Sequence, residues 1–197
     1  MLEFLINIDT AVFYFFNKTI ANPIFDKVFP FITNLDSWLI LYIFFIVWML
    51  WKGGTAGRIC FVTLIIGIIL SDQISSSFIK ELIGRPRPCH ILSDINLLVP
   101  CGPGKSLPSS HAVNMFASAV ILSHYYKQHR WIFFTIAGLV AFSRVYIGVH
   151  YPFDVISGAV IGACIGFAII KPIDFIIKAL IEGFIKLKGI IIQLFRK

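Results

Sequence analysis

Charged residues are scarce in this sequence, and their scarcity excludes an ordinary soluble domain. Only 14% of the 197 residues are charged, whereas 58% are hydrophobic, and soluble domains carry about 25% charged residues. Acidic residues are the rarest, with 10 against 17 basic residues and a net charge of +7. The mean hydropathy of +0.87 and the lack of internal repeats or low-complexity segments favour a single all-α, polytopic membrane protein.

Turn signals are missing from the apolar stretches, which are too long for buried strands. A helix needs about 20 mostly apolar residues to cross a bilayer. The sequence predicts about six spans, over residues 4–21, 37–52, 58–83, 110–127, 131–148 and 152–171. The first is interrupted by polar residues, so a full span and a half-buried interfacial helix both remain open. We expect residues 1–171 to form one transmembrane domain and residues 172–197 an amphipathic tail helix on the cytoplasmic leaflet.

Basic residues are spread unevenly between the two sides of the predicted bundle. If the spans alternate, ten fall on one side: Lys52, Arg58, Lys127, Arg130, Lys171, Lys178, Lys186, Lys188, Arg196 and Lys197. The positive-inside rule makes that side cytoplasmic. The net charge therefore indicates a lipid bilayer, and not a nucleic acid, as the partner. The remaining seven basic residues face the periplasmic or extracellular side.

Cysteine is rare, with four residues in the chain. Cys60 and Cys164 lie inside apolar runs, where they serve as small hydrophobic residues. Cys89 and Cys101 bracket an outward loop over residues 84–108. Because that loop faces an oxidising compartment, we predict a disulfide between them.

Three polar clusters stand at the outward ends of the apolar runs. In chain order they contain Lys80 and Arg87; Ser109, Ser110 and His111; and Arg144, His150 and Asp154. Arginine offers a planar fork for phosphate oxygens and lysine a point charge. A pair of serines at a helix start adds hydroxyls and free N–H groups. The clusters therefore predict an anion site, and phosphate suits it best.

The third cluster also predicts an oriented imidazole. Pro152 is suited to the first position of a helix, which puts Asp154 in the first turn, where the helix dipole favours a carboxylate. Asp154 can then hold one ring nitrogen of His150 and leave the other free as a nucleophile or base. His150 and His111 can divide the roles of nucleophile and of acid for the leaving group, and phosphoryl transfer otherwise needs mainly positioning and charge stabilisation.

Together the clusters resemble the type-2 phosphatidic acid phosphatase superfamily, whose pattern is Lys-x6-Arg-Pro, Pro-Ser-Gly-His and Ser-Arg-x5-His-x3-Asp. The matching residues, in order and at family spacing, are Lys80, Arg87, Pro88, Pro108, Ser109, His111, Ser143, Arg144, His150 and Asp154. Ser110 departs from the pattern, because it occupies the glycine position of the second motif.

The resemblance implies a metal-independent lipid phosphatase that needs no cofactor. His150 would attack phosphorus to form a phosphohistidine, Asp154 would fix its tautomer, and His111 would protonate the leaving oxygen and then activate water. The phosphate would be held by Lys80, Arg87, Ser109, Ser110 and Arg144. The small size favours a bacterial inner-membrane enzyme. Its phosphorylated lipid substrate would be undecaprenyl diphosphate, lipid A 1-phosphate or phosphatidylglycerol phosphate, between which the motifs do not choose.

Other readings of the same residues remain open. An intramembrane serine hydrolase would use Ser109, His150 and Asp154, but it leaves the three cations unexplained and no Gly-x-Ser-x-Gly elbow is present. A metal site of His111, His150 and Asp154 is disfavoured because the same cations would repel a divalent ion. Soluble vanadate-binding haloperoxidases of the same superfamily lack the predicted spans. A non-enzymatic, anion-selective membrane protein would not need a histidine oriented by a carboxylate.

Overall fold

The structure, a computed structural model, describes the backbone of residues 2–195 and the side chains of residues 3–188. Arg196 and Lys197 of the predicted tail lie outside the described residues. The regular structure of the described chain is entirely helical, which confirms the predicted class. The helices are α1 (Leu2–Tyr14), α2 (Phe25–Thr33), α3 (Leu39–Trp51), α4 (Gly54–Asp72), α5 (Lys80–Ile83), α6 (Pro88–Ile91), α7 (Ser110–Tyr125), α8 (Arg130–Tyr146) and α9 (Pro152–Phe195).

The apolar runs predicted from the sequence fall on these helices. Two helical stretches are long and apolar enough to cross a membrane, Gly54–Ile91 and Pro152–Lys188. The first continues from α4 into α5 through a π-helical turn, Gln73–Ile79. A third candidate is the pair Phe25–Thr33 and Leu35–Trp51, bent by 78°. Helix α9 contains Pro172 and continues unbroken past the predicted start of the tail.

Helices α7 and α9 form the closest helix pair, because glycines on α9 let the backbones approach. Gly158, Gly162 and Gly166 recur every fourth residue, and a Cβ added at Gly162 would lie 2.1 Å from the carbonyl oxygen of Val113. Small residues at this spacing are typical of tightly packed membrane helices. The contact places the starts of the two helices side by side, so that the second and third polar clusters meet.

The π-helical turn that follows α1, Phe15–Thr19, is anchored to the 84–108 loop and to the end of α8 by a buried amide. The Asn17 side chain donates to the carbonyl oxygens of Asn96 and Tyr146, at 2.8 and 2.7 Å, and accepts from the Asn96 N–H at 2.8 Å. Cys89 and Cys101 are joined in a disulfide, with their Cα atoms 6.1 Å apart. These contacts fix the loop that carries Arg87 over the ends of α8 and α9.

Candidate active site

The turn between α8 and α9 positions His150. Gly148 has a φ of +89°, a conformation that residues with a side chain rarely adopt, and the N–H groups of Val149 and His150 both donate to the Arg144 carbonyl at 3.2 Å. The His150 side chain is 2% exposed, and its Nδ1 lies 3.4 Å from Oδ2 of Asp154. That contact faces Nδ1 to the carboxylate and leaves Nε2 as the nitrogen available for chemistry.

Burial decides the protonation state of this histidine. It lowers the pKa of His150 from its ordinary value of 6.5 to about 4, against the opposing effect of the Asp154 carboxylate. The nearby positive charges of Arg87 and Arg144 act in the same direction as burial. The imidazole is therefore neutral at pH 7, as a nucleophile must be.

Asp154 is held by contacts on both of its oxygens. Oδ2 also accepts the N–H of Tyr151 at 2.8 Å, while Oδ1 accepts Nη1 of Arg85 at 2.9 Å. Arg85 reaches on to Oδ2 of Asp9 at 2.6 Å, and its guanidinium lies over the Tyr151 ring at 4.0 Å. Asp9, which is fully buried, accepts the Phe153 N–H at 2.9 Å through its other oxygen. An arginine between two carboxylates thus ties α1 to the base of the site.

The three predicted cations gather around His111. The charges of Lys80, Arg87, Arg144 and His150 all act on the His111 imidazole, so these five side chains lie near one another. Lys80 donates from Nζ to Oγ of Ser110 at 2.8 Å, and Arg144 donates from Nη1 to Oγ1 of Thr33 at 2.7 Å. Arg87 stands in extended conformation just before α6.

Three buried polar atoms in this neighbourhood have no partner among the described residues: Nε of Arg87, Nε of Arg144 and Oγ of Ser109. Buried polar groups are almost always hydrogen-bonded, so these atoms are candidates to bind an acceptor from outside the chain. Two are guanidinium nitrogens and the third is a hydroxyl. This donor set suits the oxygens of a phosphate.

Comparison with known proteins identifies the fold and its chemistry. A family model for the PAP2 superfamily matches residues 55–175, more than half of the chain. The chain belongs to the PAP2 superfamily. The lipid A 4'-phosphatase of Bacteroides thetaiotaomicron is 34% identical over 82% of this chain and 75% of its own length. The predicted family is confirmed.

Two solved structures share the PAP2 fold with this chain. The crystal structure of Aquifex aeolicus LpxE superposes with a TM-score of 0.66 at 29% identity, over 82% of this chain and 94% of that one. The transmembrane PAP2-type phosphatidylglycerolphosphate phosphatase of Bacillus subtilis gives a TM-score of 0.62 at 26% identity, over 86% of both chains. This PAP2 protein is accordingly a membrane lipid phosphatase and a phosphate ester hydrolase.

The serines of the second PAP2 motif take different positions. The N–H of Ser109 donates to the Asp154 carbonyl at 2.9 Å, so this amide is not free for phosphate as the sequence suggested, and only its hydroxyl is unpartnered. Ser110, at the family's glycine position, contacts Lys80 and lies 3.0 Å from the Ser76 hydroxyl. Its side chain therefore orients the lysine.

The rival chemistries find little support in this geometry. A serine nucleophile needs a hydrogen bond to its base, but the Ser109 hydroxyl bonds to none of the described residues. His111, His150 and Asp154 do not bring their ligand atoms together within 4.8 Å, and in the described chain the group that does is Cys89, His90 and Cys101. Two of those three are already bonded to each other through the disulfide.

Sequence reasoning missed two residues of the site, Asp9 and Arg85. Asp9 was read only as an interruption of the first apolar run, although an ionisable residue inside a span is a functional candidate by default. Arg85 lies two residues before Arg87 and outside the family pattern. The pairing between them joins positions 76 residues apart, so no local pattern could have revealed it.

Proposed function

We propose that this PAP2 protein removes phosphate from a membrane lipid on the periplasmic face of a bacterial inner membrane, through a phosphohistidine on His150. One observation carries the proposal. Polar donors of Ser109, Arg87 and Arg144 are buried and have no partner among the described residues. Both arginine charges act on the buried His150 imidazole, whose Nδ1 faces Asp154. A phosphate bound to those donors would meet a nucleophile that is already oriented.

In the first step, Nε2 of His150 attacks phosphorus and the bond between phosphorus and the lipid oxygen breaks. His111, as the imidazolium that the negative charge of a bound phosphate favours, gives a proton to that oxygen, which leaves as the lipid alcohol, or as the lipid monophosphate if the substrate is a diphosphate. Positive charge that develops on His150 is balanced by Asp154, which keeps the proton on Nδ1. The phosphoryl group is held by Lys80, Arg87, Ser109, Ser110 and Arg144, with Ser110 acting through Lys80.

In the second step, His111 takes a proton from water and the resulting hydroxide attacks the phosphohistidine. The bond between phosphorus and Nε2 breaks, inorganic phosphate leaves, and His150 is neutral again. Arg85 and Asp9 touch neither the phosphate nor the lipid. They act as positioning residues, because they hold the Asp154 carboxylate in place.

A small cleft beside His111 supports entry of a lipid from the side. It has a volume of about 100 Å³ and lies between α2, α3, α7 and α8, with Thr33, Trp38, Tyr42 and Asn114 in its wall. Asn114 follows His111 by one helical turn, and its Oδ1 is buried without a partner in the described chain. The cleft therefore offers an amide to the leaving group on the side where His111 would protonate it.

The topology proposed with this function has six crossings. Helices α7 and α8, with 16 and 17 residues, are about 24 to 26 Å long, close to the roughly 30 Å of a hydrocarbon core. Residues 1–171 would form the catalytic domain. Residues 172–197 would continue α9 as an amphipathic helix along the cytoplasmic leaflet, with lysines toward anionic headgroups. The positive-inside distribution places the active site on the opposite face.

The mechanism is tested by replacing His150 with alanine and trapping the phosphoenzyme with a denaturing quench at high pH, where phosphohistidine survives. Wild-type protein is expected to accumulate one labelled phosphate per chain, and His150→Ala none. His111→Ala should slow phosphate release by about 10² to 10⁴ fold but still form the intermediate with an activated ester. Near-normal turnover in His150→Ala would falsify the assignment.

The substrate is decided by assaying the purified protein against lipids side by side. Lipid A 4'-phosphate is the first candidate, because a relative that is 34% identical over 82% of the chain bears that activity in its name. Undecaprenyl diphosphate, lipid A 1-phosphate and phosphatidylglycerol phosphate are the comparison set. We expect lipid A 4'-phosphate to give the highest kcat/KM, and a higher value for any other lipid would reassign the substrate.

A further inference from the structure

A second cavity, with basic residues in its wall, lies at the other end of α7, away from His111. It has a volume of about 380 Å³ and is open to the surroundings between α7, α8 and α9. Its lining includes the polar residues Ser123, His124, Lys127, Arg130 and Lys171 and the aromatic Phe167. Because a helix rises about 1.5 Å per residue, Ser123 is roughly 20 Å along α7 from His111. The cavity is thus separate from the catalytic site and, in the proposed six-span topology, lies at the opposite membrane edge.

The basic residues of this cavity are not neutralised by the protein. Among the side chains of residues 3–188, no carboxylate oxygen lies within 4.0 Å of Lys127, Arg130 or Lys171. The nearest acidic group in the region, Asp174, is already engaged by His124 at 3.5 Å and by the Tyr125 hydroxyl at 2.5 Å. Three positive charges therefore remain available to a ligand.

A buried hydroxyl adds a directional donor to these charges. The Oγ of Ser123 is inaccessible to solvent and has no hydrogen-bond partner among the described residues. Buried hydroxyls are normally paired, so this one also points to an acceptor supplied from outside. The far end of α7 therefore has the same kinds of groups as a phosphate site, namely cations beside an unpaired hydrogen-bond donor.

The rest of the cavity wall is apolar, and one of its side chains is strongly exposed. Phe167 is 69% exposed, and Phe134, Val120 and Ile170 complete the wall. Arg130 lies over the ring of Trp131 at 5.1 Å, and tryptophan beside a basic residue is typical of a membrane interface. A soluble anion would leave this apolar wall unused, whereas a lipid would cover it with its chains.

We propose that this basic cavity binds the phosphate headgroup of an anionic phospholipid from the leaflet opposite the active site. Basic pockets between membrane helices on one leaflet are suited to acidic headgroups. The headgroup phosphate would lie among Lys127, Arg130 and Lys171 and accept from Ser123, while its acyl chains run along Phe167. This site is independent of the catalytic mechanism, since it shares no residue with it.

The experiment measures lipid binding to the full chain in neutral detergent by native mass spectrometry. Phosphatidylglycerol is the probe, with phosphatidylcholine and inorganic phosphate as comparisons. Wild-type protein should retain phosphatidylglycerol at least about fivefold more tightly than phosphatidylcholine. Binding of inorganic phosphate as tight as that of phosphatidylglycerol would overturn the lipid assignment.

Variants separate a specific site from a general attraction of charges. Lys171→Gln should weaken phosphatidylglycerol binding by about fivefold, while Lys178→Gln, an exposed residue of the same helix that does not line the cavity, should change it less than about twofold. Ser123→Ala leaves the net charge unchanged and should still weaken binding by about tenfold. Equal losses in Lys171→Gln and Lys178→Gln, or no loss in Ser123→Ala, would overturn the proposal. Thermal unfolding and phosphate release in phosphatidylcholine confirm that each variant is folded.

Discussion

Replacing Arg85 with glutamine removes the cation between two buried carboxylates. Asp9 and Asp154 are both fully buried and bond to the guanidinium at 2.6 and 2.9 Å. Without it the two charges keep their backbone hydrogen bonds but have no cation between them, which favours uptake of a proton by one of them. Breaking a buried ion pair on one side costs about 3–5 kcal/mol, so we expect a loss of that size in the free energy of unfolding.

The same change should reach the chemistry through Asp154. If Asp154 is the carboxylate that takes the proton, it no longer holds the Nδ1 proton of His150 or balances the charge of the intermediate. We expect kcat to fall on the order of 10² to 10⁴ fold, with a smaller change in KM because Arg85 does not touch the phosphate. Phosphate release from mixed micelles and unfolding in the same detergent provide the two measurements.

A double variant tests whether charge balance is the cause. Arg85→Gln with Asp9→Asn removes the cation and one carboxylate together, so it should recover about half of the lost stability and part of kcat. Lys18→Gln is the matched control, since its ion pair with Asp94 is largely exposed and should contribute no more than about 1 kcal/mol. A double variant that is less stable and less active than Arg85→Gln alone would refute the charge-balance reasoning.

Three further predictions concern stability. The pKa of His150 is about 4 in the folded protein against 6.5 for an unperturbed histidine, so the unfolded chain binds more protons between these values and the folded state loses stability as the pH drops below 6.5. When the pH is lowered from 7.5 to 5, His150→Gln should therefore lose about 2 kcal/mol less free energy of unfolding than wild type. An equal loss in both proteins would contradict this. Gly162→Ala should lower the free energy of unfolding in detergent by about 1–3 kcal/mol or more, because its Cβ would meet the Val113 carbonyl. At Gly183 in the same helix an added Cβ has open space, so Gly183→Ala should leave that free energy unchanged or raise it. Cys89→Ser opens the disulfide loop and should lower the free energy of unfolding by about 3 kcal/mol. Unfolding measured with and without reductant checks this, because reductant should leave the variant's stability unchanged.

The sequence was sufficient to predict the helical class and the three clusters of the site. Long apolar runs predict helices because a helix satisfies its own backbone hydrogen bonds in lipid. Helices α7 and α8 follow the predicted runs closely, and α9 begins at the predicted Pro152 but continues to Phe195. His150 and Asp154 could be paired from their spacing alone, since they stand four residues apart at a helix start. The family pattern supplied the remaining neighbours, because it records which distant motifs act together.

Other features were beyond reach of any local pattern. The sequence left the first apolar run ambiguous, and the structure gives Asp9 in that run a place against Arg85 and the Phe153 N–H. It suggested the Ser109 amide as a phosphate donor, but the packing of α7 on α9 commits that N–H to the Asp154 carbonyl. The role of Ser110 could not be read until Lys80 was seen to donate to it.

The sequence by itself determined which chemical groups are available to the site, because residue types and helix periodicity are local properties. The tertiary structure decided which groups are satisfied by the protein and which remain for a ligand. That difference depends on contacts between residues far apart in the chain, such as Arg85 with Asp9. It also depends on the close crossing at Gly162, which sets the distance between the two helix starts on which the site is built.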